Sequence, residues 1–348
     1  MDVRAVVAFN DDVDLKGHLN DVEKVGEMEV GETAREVAEI LGASLMPVRD
    51  VRTALDELRA NRPGVVFNLC EGVAGKPHWE MHFGLALEML GIPFTGADPT
   101  AAGICGDKAL TKQLLKTGGV PVPEGYVIDG AAGDPARGET KTKEPGGRDR
   151  PRLHASRKWI VKPVHEDAGI GIGAGSVCSS PEEVMARAGH VTKTYGQAAL
   201  VEEFIEGREL NQALYYGPAG VRVLPPGEIV FAPSLRPEER VVGWKAKWAE
   251  GSAEDAATVN RTPGVMDDTL RSDVSSVCTK AASLLSIGGY CRFDLRQRPT
   301  GELCIIDVNP NPDIGRGSGF RKALEASGTL FRDFLAELMM GVLSRRRP

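Results

Sequence analysis

Residues 288–315 carry acidic and amide side chains within sequence that otherwise favours β-strands: GGYCRFDLRQRPTGELCIIDVNPNPDIG. CRFDL alternates polar and apolar residues, LCIIDV is a continuous apolar run, and RQRPTGE between them is typical of a turn. The pattern predicts a hairpin with Asp294 and Asp307 on neighbouring strands, close enough to share a ligand. Two unpaired carboxylates that close repel each other, so a cation between them is expected.

Carboxylate oxygens in such a hairpin suit Mg²⁺, which usually also keeps waters and phosphate oxygens as ligands. Asp294 and Asp307 are therefore candidate metal ligands. The alternative is a hairpin whose polar residues face solvent, and this segment alone does not separate the two interpretations.

The composition excludes several classes of protein. The chain has 348 residues, enough for two or three domains, and its 42% hydrophobic and 26% charged residues are ordinary for a globular protein. A net charge of −7 argues against a protein built mainly to bind nucleic acid. No apolar run approaches the roughly 20 residues of a membrane span. The acidic start and six scattered cysteines without a CxxC pair favour a cytoplasmic protein with reduced thiols.

The order of predicted elements indicates a mixed α/β (α+β) fold. Over residues 1–99, strand and helix patterns alternate, which predicts a parallel-sheet α/β domain: VRAVVAF, VEKVGEMEVGETAREVAEILGA, RTALDELRAN, VVFNL, PHWEMHFGLALEMLG and the short strand IPFTG. A second unit spans 100–210 and a third 211–348. Short connections predict antiparallel pairing of the later strands: WIVKP, AGSVC, LVEEFI, ELNQALYY and EIVFAP. Residues 129–158 contain Leu153 as their one large apolar residue, which predicts a mobile, non-catalytic insertion.

A glycine-rich loop, KPVHEDAGIGIGAGSV, follows the predicted strand that ends near Lys162. Glycines such as Gly169 and Gly171 let backbone N–H groups approach a phosphate, and the lysine supplies positive charge. A dinucleotide-binding GxGxxG requires a helix directly after the glycines, but strand-like SVC follows here. The Walker pattern GxxxxGK[ST] is absent from the sequence. A purely structural turn remains the alternative.

Three further segments each have a functional and a structural interpretation. In LVEEFIEGRELNQALYY, Glu202 can accept from a purine amine and Glu209 from ribose hydroxyls, although acidic residues at turns are usually just solvated. His78 and His82 stand one helical turn apart, as in zinc sites, but a surface or packing role is favoured. GWKAKW is either a flexible loop that carries lysine to a phosphate or a surface strand.

Taken in order, these motifs resemble the ATP-grasp superfamily, and within it the D-alanine–D-alanine ligases. The resemblance covers most of the chain and is strongest from Ile92 to Asn311, through IPFTGADPTAAGICGDKALTKQLLKTGGVPVP, WIVKP, VEEFIEGREL and RFDL…IIDVNPNP. It implies an N-terminal parallel-sheet α/β domain followed by two mixed α+β subdomains that clasp ATP.

The resemblance also implies a role for each matching position. It assigns ATP contacts to Lys108, Lys162 and Lys247 at the phosphates, Glu202, Phe204 and Ile205 at adenine, and Glu209 at the ribose. It assigns the chemistry to Asp294, Asp307 and Asn309 as ligands of two Mg²⁺ ions, Arg292 at the tetrahedral intermediate, and Ser318 at the carboxylate of the acceptor. The glutamate that meets the first substrate's amine has no clear counterpart, so Asp12 or Asp14 is the candidate.

The departures from the family pattern lie at positions for the amino-acid substrates. CEGVAGKPHWE replaces HGxxGEDG, so Cys70 stands in place of a histidine; Ala168 and Gly169 replace a serine pair, and Trp248 replaces a tyrosine. We therefore expect an ATP-dependent carboxylate–amine ligase that acts on small amino acids through an acyl phosphate, with D-alanine specificity left open. The alternatives are a related ligase with other substrates and a nucleotide-binding protein without ligase activity; a nicotinamide-dependent oxidoreductase is disfavoured. The family often forms dimers, which implies a homodimer.

Overall fold

A computed structural model describes residues 4–11, 30–74, 76, 79–129, 157–173, 175–248 and 251–344. Four of the sequence predictions lie outside these residues: Asp12 with Asp14, His78, the first part of the helix predicted before residue 30, and nearly all of the insertion.

The N-terminal part contains a parallel sheet, as the alternating sequence pattern predicts. Its order is β2-β1-β3, from β1 (Ala5–Asn10), β2 (Ser44–Val48) and β3 (Val65–Leu69). Every residue of β3, VVFNL, is buried, as expected of a parallel strand covered on both faces. The helices of this part are α1 (Val30–Leu41), α2 (Val51–Asn61) and α3 (Glu80–Met89).

The prediction of a strand at IPFTG is wrong. Phe94 forms a single parallel bridge to Val66, flanked by hydrogen bonds from Val66 N–H to the Pro93 carbonyl and from Thr95 N–H to the Val66 carbonyl. Pro93 has no N–H to donate, so the segment adds one bridge beside β3 without building a ladder.

A four-stranded antiparallel sheet forms the second unit. Its order is β4-β7-β5-β6, from β4 (Gly125–Ile128), β5 (Trp159–Pro163), β6 (Val177–Cys178) and β7 (Ala199–Glu203). Helices α4 (Pro99–Cys105) and α5 (Lys108–Thr117) precede it, and α6 (Pro181–Tyr195) packs on it. Helix α6 begins where the Ser180 hydroxyl accepts from Glu183 N–H and ends at Gly196 in the left-handed conformation, so both ends follow ordinary capping rules.

The largest sheet is antiparallel and carries the predicted hairpin. Its path is β11-β10-β8-β12-β13, and β9 also pairs with β8; the strands are β8 (Arg208–Gly217), β9 (Gly220–Val223), β10 (Gly227–Phe231), β11 (Thr258–Arg261), β12 (Tyr290–Gln297) and β13 (Leu303–Asn309). The remaining helices are α7 (Trp244–Trp248), α8 (Ala253–Ala256), α9 (Asp268–Leu284), α10 (Gly319–Ala326) and α11 (Phe331–Ser344). The GWKAKW segment is thus a short helix, and both sequence interpretations of its backbone, loop or strand, are wrong.

An aromatic core joins the N-terminal sheet to the largest sheet. Phe67 of β3 belongs to the same buried cluster as Tyr215 and Tyr290 of the large sheet and Phe320 and Phe334 of α10 and α11. Nearby, the Asn311 amide N–H donates to the Cys70 carbonyl at 3.4 Å. The end of β3 therefore meets the end of β13, and both lie at the edge of the cavity described next.

Candidate active site

The predicted carboxylate pair is formed by directly opposed residues of one hairpin. Asp294 on β12 pairs with Asp307 on β13, and Arg292 pairs with Asn309 in the same register. All four residues line a cavity of about 570 Å³. The hairpin and the proximity of its carboxylates are thus confirmed, and both carboxylates line the cavity.

Buried cations balance both carboxylates. The Arg292 guanidinium donates to both oxygens of Asp294, from Nε at 2.9 Å and from Nη2 at 3.0 Å. Lys108 Nζ lies 2.5 Å from Asp167 Oδ1 and 3.8 Å from Asp307 Oδ1. Burial alone lowers the pKa of Lys108, but Asp167 and Asp307 outweigh it and raise the pKa above its ordinary value. The same balance, with Asp294 as the main partner, raises the pKa of Arg292, so both cations stay charged.

The side-chain oxygens of the hairpin fit Mg²⁺ only together with a further ligand of the ion. No group of three His, Cys, Asp or Glu converges on one point within the described ranges. Two carboxylates and the Asn309 amide are hard oxygen ligands, and Mg²⁺ is commonly held by one or two carboxylates together with substrate phosphates. Asn309 Oδ1 accepts from Asn311 N–H at 3.0 Å and has a second lone pair. These residues therefore fit magnesium bound jointly with a phosphate.

Glu202 sits between two lysines rather than alone at the cavity wall. Lys112 Nζ donates to its Oε1 at 2.7 Å, and Lys162 Nζ lies 2.9 Å from its Oε2. Burial raises the pKa of Glu202, but Lys112 and Lys162 outweigh it and hold the pKa below its ordinary value. Lys162 Nζ also donates to the Ile306 carbonyl at 3.2 Å. No local sequence pattern marks Lys112 as part of the site, because its partner lies 90 positions away.

Glu209 also has a buried cationic partner that sequence reasoning missed. It is the register partner of Arg296 on β12, whose Nη2 donates to Glu209 Oε2 at 2.6 Å. Phe204 and Ile205 follow the end of β7 and line the cavity beside this pair. The four residues predicted to contact the adenosine part of ATP, Glu202, Phe204, Ile205 and Glu209, are thus brought together in one cavity.

The two glycines predicted to contact phosphate lie in different places. Gly169 lines the cavity with φ +80°, and a Cβ there would lie 2.8–3.1 Å from backbone atoms of residues 242–244. Gly171 is not among the cavity-lining residues of the described chain; a Cβ on it would meet the Pro163 ring at 2.6 Å. Gly171 therefore allows the loop to pack closely on β5, because the Pro163 ring leaves no space for a side chain at this position.

The other predicted residues have varied placements. Ser318 lines the cavity, and its hydroxyl accepts from Arg321 N–H at 3.2 Å as the cap of α10. Lys247 belongs to α7, and its side chain lies outside the described part, as do those of Trp248 and Asp12.

Cys70 is fully buried at the end of β3. His82 is exposed on α3, 5.3 Å from the Trp79 ring, and no zinc cluster includes it among the described residues.

Two features of the chain bear on its surroundings. All six cysteines are buried thiols. Within the described residues, no helix combines the length and apolar character needed to cross a membrane.

Comparison with known proteins identifies the family. The family model described as the D-ala D-ala ligase C-terminus matches residues 156–340. An uncharacterised protein of Sinorhizobium fredii is 29% identical over 284 residues, 82% of this chain and 75% of that protein. A D-alanine–D-alanine ligase of Desulfotalea psychrophila is 28% identical over 294 residues, 83% of this chain and 82% of that protein.

A solved structure of the D-alanine–D-alanine ligase from Bacillus anthracis complexed with ATP shares the fold. It has a TM-score of 0.71 at 17% identity and covers 99% of this chain and 98% of its own. The family match spans more than half of the chain and includes the strands that carry Lys162, Glu202, Asp294 and Asp307. The chain therefore belongs to the D-alanine–D-alanine ligase family and is a ligase of the ATP-grasp fold.

Proposed function

We propose that the protein joins two amino acids, D-alanine or a close analogue, into a dipeptide through an acyl phosphate made with ATP. The observation that carries this proposal is the cavity that unites a carboxylate pair, cationic side chains and apolar residues such as Phe204 and Ile205 in a chain of this family. A ligase of this kind needs all three parts, because phosphoryl transfer depends on positioning and charge neutralisation.

The nucleotide occupies the part of the cavity lined by Phe204, Ile205 and Glu209 in this proposal. Ile205 offers backbone groups to the adenine edge, and Glu209 accepts from ribose hydroxyls. Lys108 and Lys162 lie toward Asp307 and Ile306, where the phosphates would be placed. Asp294, Asp307 and Asn309 would hold magnesium, which supplies charge neutralisation for the phosphates when bound.

The reaction itself would use two steps. The donor carboxylate attacks the γ-phosphorus of ATP, ADP leaves, and Lys108 and Lys162 neutralise charge on the transferred group. The acceptor amine then attacks the acyl carbon, and phosphate leaves as the amide forms. Arg292, held by Asp294 through two hydrogen bonds, would stabilise the oxyanion of the tetrahedral intermediate.

The amino-acid identity is the part of this proposal that needs the most direct test. Ser318 is the proposed partner of the acceptor carboxylate, and Asp12 the candidate for the donor amine. Glu71, Asp313, Arg316 and Lys322 line the same cavity, so a substrate with polar groups beyond those of alanine would also find charged partners there.

Phosphate release from magnesium-ATP tests the proposal, measured with D-alanine and then with a panel of other amino acids. Phosphate together with D-alanyl-D-alanine would establish the proposed reaction. Release only with other amino acids would keep the ligase mechanism and change the substrate. Absence of phosphate release with every amino acid, by protein that binds ATP, would contradict the ligase proposal.

We also propose a cytoplasmic location and a homodimer. The location rests on the six reduced, buried thiols, and the dimer on family resemblance alone. Light scattering at micromolar concentration tests the oligomeric state; a mass of one chain would contradict the dimer.

A further inference from the structure

One face of strand β12 presents charged residues at every second position. Arg292, Asp294 and Arg296 all line the cavity, while Cys291, Phe293 and Leu295 between them are buried in the opposite core. The catalytic proposal uses Arg292 and Asp294, but it gives no role to Arg296. Arg296 is only 4% exposed, so its charge is withdrawn from water and needs an explanation.

The guanidinium of Arg296 forms hydrogen bonds to three separate segments of the chain, at Ile205, Glu209 and Arg240. Its Nη1 donates to the Ile205 carbonyl at 3.2 Å, and its Nη2 donates to Glu209 Oε2 at 2.6 Å and to the Arg240 carbonyl. Phe204 and Phe231 flank it, with ring centroids 5.3 and 5.5 Å from its Cζ. Three hydrogen bonds and two neighbouring rings together restrict the rotation of this planar guanidinium.

Stability alone is a weak explanation for this pair. A buried Arg–carboxylate pair costs desolvation of both charges, and well-packed apolar residues usually serve a fold at least as well. The hydrogen bond from Arg296, however, holds the Glu209 carboxylate in one orientation, which an apolar neighbour cannot do. An ionised carboxylate has about four acceptor positions, so a hydrogen bond from Arg296 is compatible with further bonds from ligand hydroxyls.

We infer that Arg296 is a positioning residue for nucleotide recognition, which holds the Glu209 carboxylate in place to accept from the ribose hydroxyls. This inference rests on the proposed ATP-dependent function and adds a residue to it. Arg296 contacts Glu209 and the Ile205 backbone, the two groups that would contact the ribose and the base. It therefore acts through them on the selection of the nucleotide.

Binding of ATP, 2′-deoxyATP and 3′-deoxyATP, each with Mg²⁺, tests the inference by calorimetric titration without any amino acid. The wild-type protein is expected to bind at least one deoxynucleotide roughly tenfold more weakly than ATP, the effect of losing a hydrogen bond to a charged group. In Arg296→Met, ATP binding weakens and this discrimination falls to about twofold or less. Glu209→Gln loses the discrimination too, and adding Arg296→Met to it leaves the ratio unchanged.

Arg298→Met is the matched control. Arg298 also forms a two-point ion pair, donating to Glu203 from Nη1 and Nη2 at 2.8 Å each, but it is not among the cavity-lining residues of the described chain. Its loss should leave the ratio of ATP to deoxyATP affinities at the wild-type value. Arg296→Lys, which keeps the charge but not the planar fork, provides the same comparison if Arg296→Met does not fold.

Each contrary result has a distinct meaning. An Arg296→Met protein that binds all three nucleotides more weakly by one common factor would show a purely structural role and overturn the inference. Equal affinity of the wild-type protein for the three nucleotides would also overturn it, while leaving ATP binding intact. Failure of the wild-type protein to bind ATP would overturn the proposed function together with the inference.

Discussion

At the scale of single residues, two buried lysines beside the cavity are paired with carboxylates far away in the chain. Lys108 bonds Asp167 across 59 positions, and Lys112 bonds Glu202 across 90. Breaking such a pair is more costly than breaking an exposed one, because the remaining charge stays buried without its partner. Substitutions that remove one member should therefore affect both the fold and ATP binding.

Replacement of Asp294 by asparagine removes one negative charge beside Arg292 and one proposed magnesium ligand. We expect Asp294→Asn to lower magnesium-dependent phosphate release at least about a hundredfold and to leave the circular dichroism spectrum unchanged. Asp56→Asn, at an exposed position of α2, should match the wild-type protein. Activity of Asp294→Asn within about twofold of wild type would refute the metal assignment.

Replacement of Lys112 by methionine leaves Glu202 with one of its two lysines. The lowered pKa of Glu202 means that its ion pairs stabilise the fold above its ordinary pKa of 4.5, and that this contribution is lost as pH falls through the folded-state pKa. Lys112→Met raises the folded-state pKa, so acid unfolding should begin at a higher pH. The free energy of unfolding at neutral pH should fall by about 3 kcal/mol.

Urea unfolding across a pH series measures both effects of Lys112→Met. Lys116→Met, on the exposed face of the same helix, is the control and should follow the wild-type pH dependence. The KM for ATP should rise several-fold in Lys112→Met, because Lys162 is then the partner left to hold Glu202. An unchanged acid-unfolding midpoint would contradict the charge-pairing account.

The sequence revealed one member of the pairs Lys108–Asp167, Lys112–Glu202 and Glu209–Arg296. Lys162, Glu202 and Glu209 stand in motifs with local context, so their presence in one cavity could be predicted. Lys108 also stands in such a motif and lies beside the cavity, 3.8 Å from Asp307. Lys112 lies in an amphipathic helix and Arg296 in a strand, where a charged residue is ordinarily a solvated one. Their burial depends on packing between distant elements. The spacing Arg292-Asp294-Arg296 was a usable signal for Arg296, because alternate residues of a strand share a face.

At the scale of elements, strong apolar patterns predicted the strands and helices, and weak patterns did not. The sequence missed four strands, β2, β4, β9 and β11. Strands β2, β9 and β11 have mostly exposed or half-exposed residues, so no alternation of buried and exposed residues marks them, and β4 is only four residues long. Helix α7 was missed for a different reason. Trp244 packs against Ile170 of the glycine-rich loop, and this tertiary contact overrides the alternating pattern of WKAKW.

The contact between the glycine-rich loop and α7 makes a direct prediction for Gly169. A Cβ there would clash with the backbone of residues 242–244, and φ +80° costs a non-glycine residue about 1–2 kcal/mol. Gly169→Ala should displace the loop or α7 and raise the KM for ATP about tenfold or more. Gly173→Ala is the control within the same loop, since a Cβ there has no atom within 4 Å. Equal KM values for the two variants would contradict this account.

At the scale of the whole molecule, two hydrophobic cores extend across the predicted boundary at residue 99. Ala97 shares a buried cluster with Phe293 and Ile305 of the large sheet. Phe67 of the N-terminal sheet shares another with Phe320 and Phe334. The alternation of elements predicts the type of each unit, but it contains no information on which faces pack together, and the boundaries remain predictions.

The shared aromatic core predicts that the N-terminal sheet and the large sheet unfold as one unit. Phe334 is fully buried and contacts Tyr215, Tyr290 and Phe320 edge-on or tilted, with ring centroids 5.1–5.9 Å apart. Phe334→Ala should lower the free energy of unfolding by about 3–5 kcal/mol. Because stability is distributed through this core, amide hydrogen exchange should quicken in β1 and β3 as well as in α11.

Met340→Ala is the matched control for Phe334→Ala, because Met340 lies on the same helix but is 51% exposed. Its free energy of unfolding should stay within about 0.5 kcal/mol of wild type, and exchange in β1 and β3 should not change. Faster exchange confined to α11 in Phe334→Ala would show that the N-terminal sheet is stabilised independently. The cavity between the ends of β3 and β13 would then lie between two separable units, instead of being fixed by one continuous core.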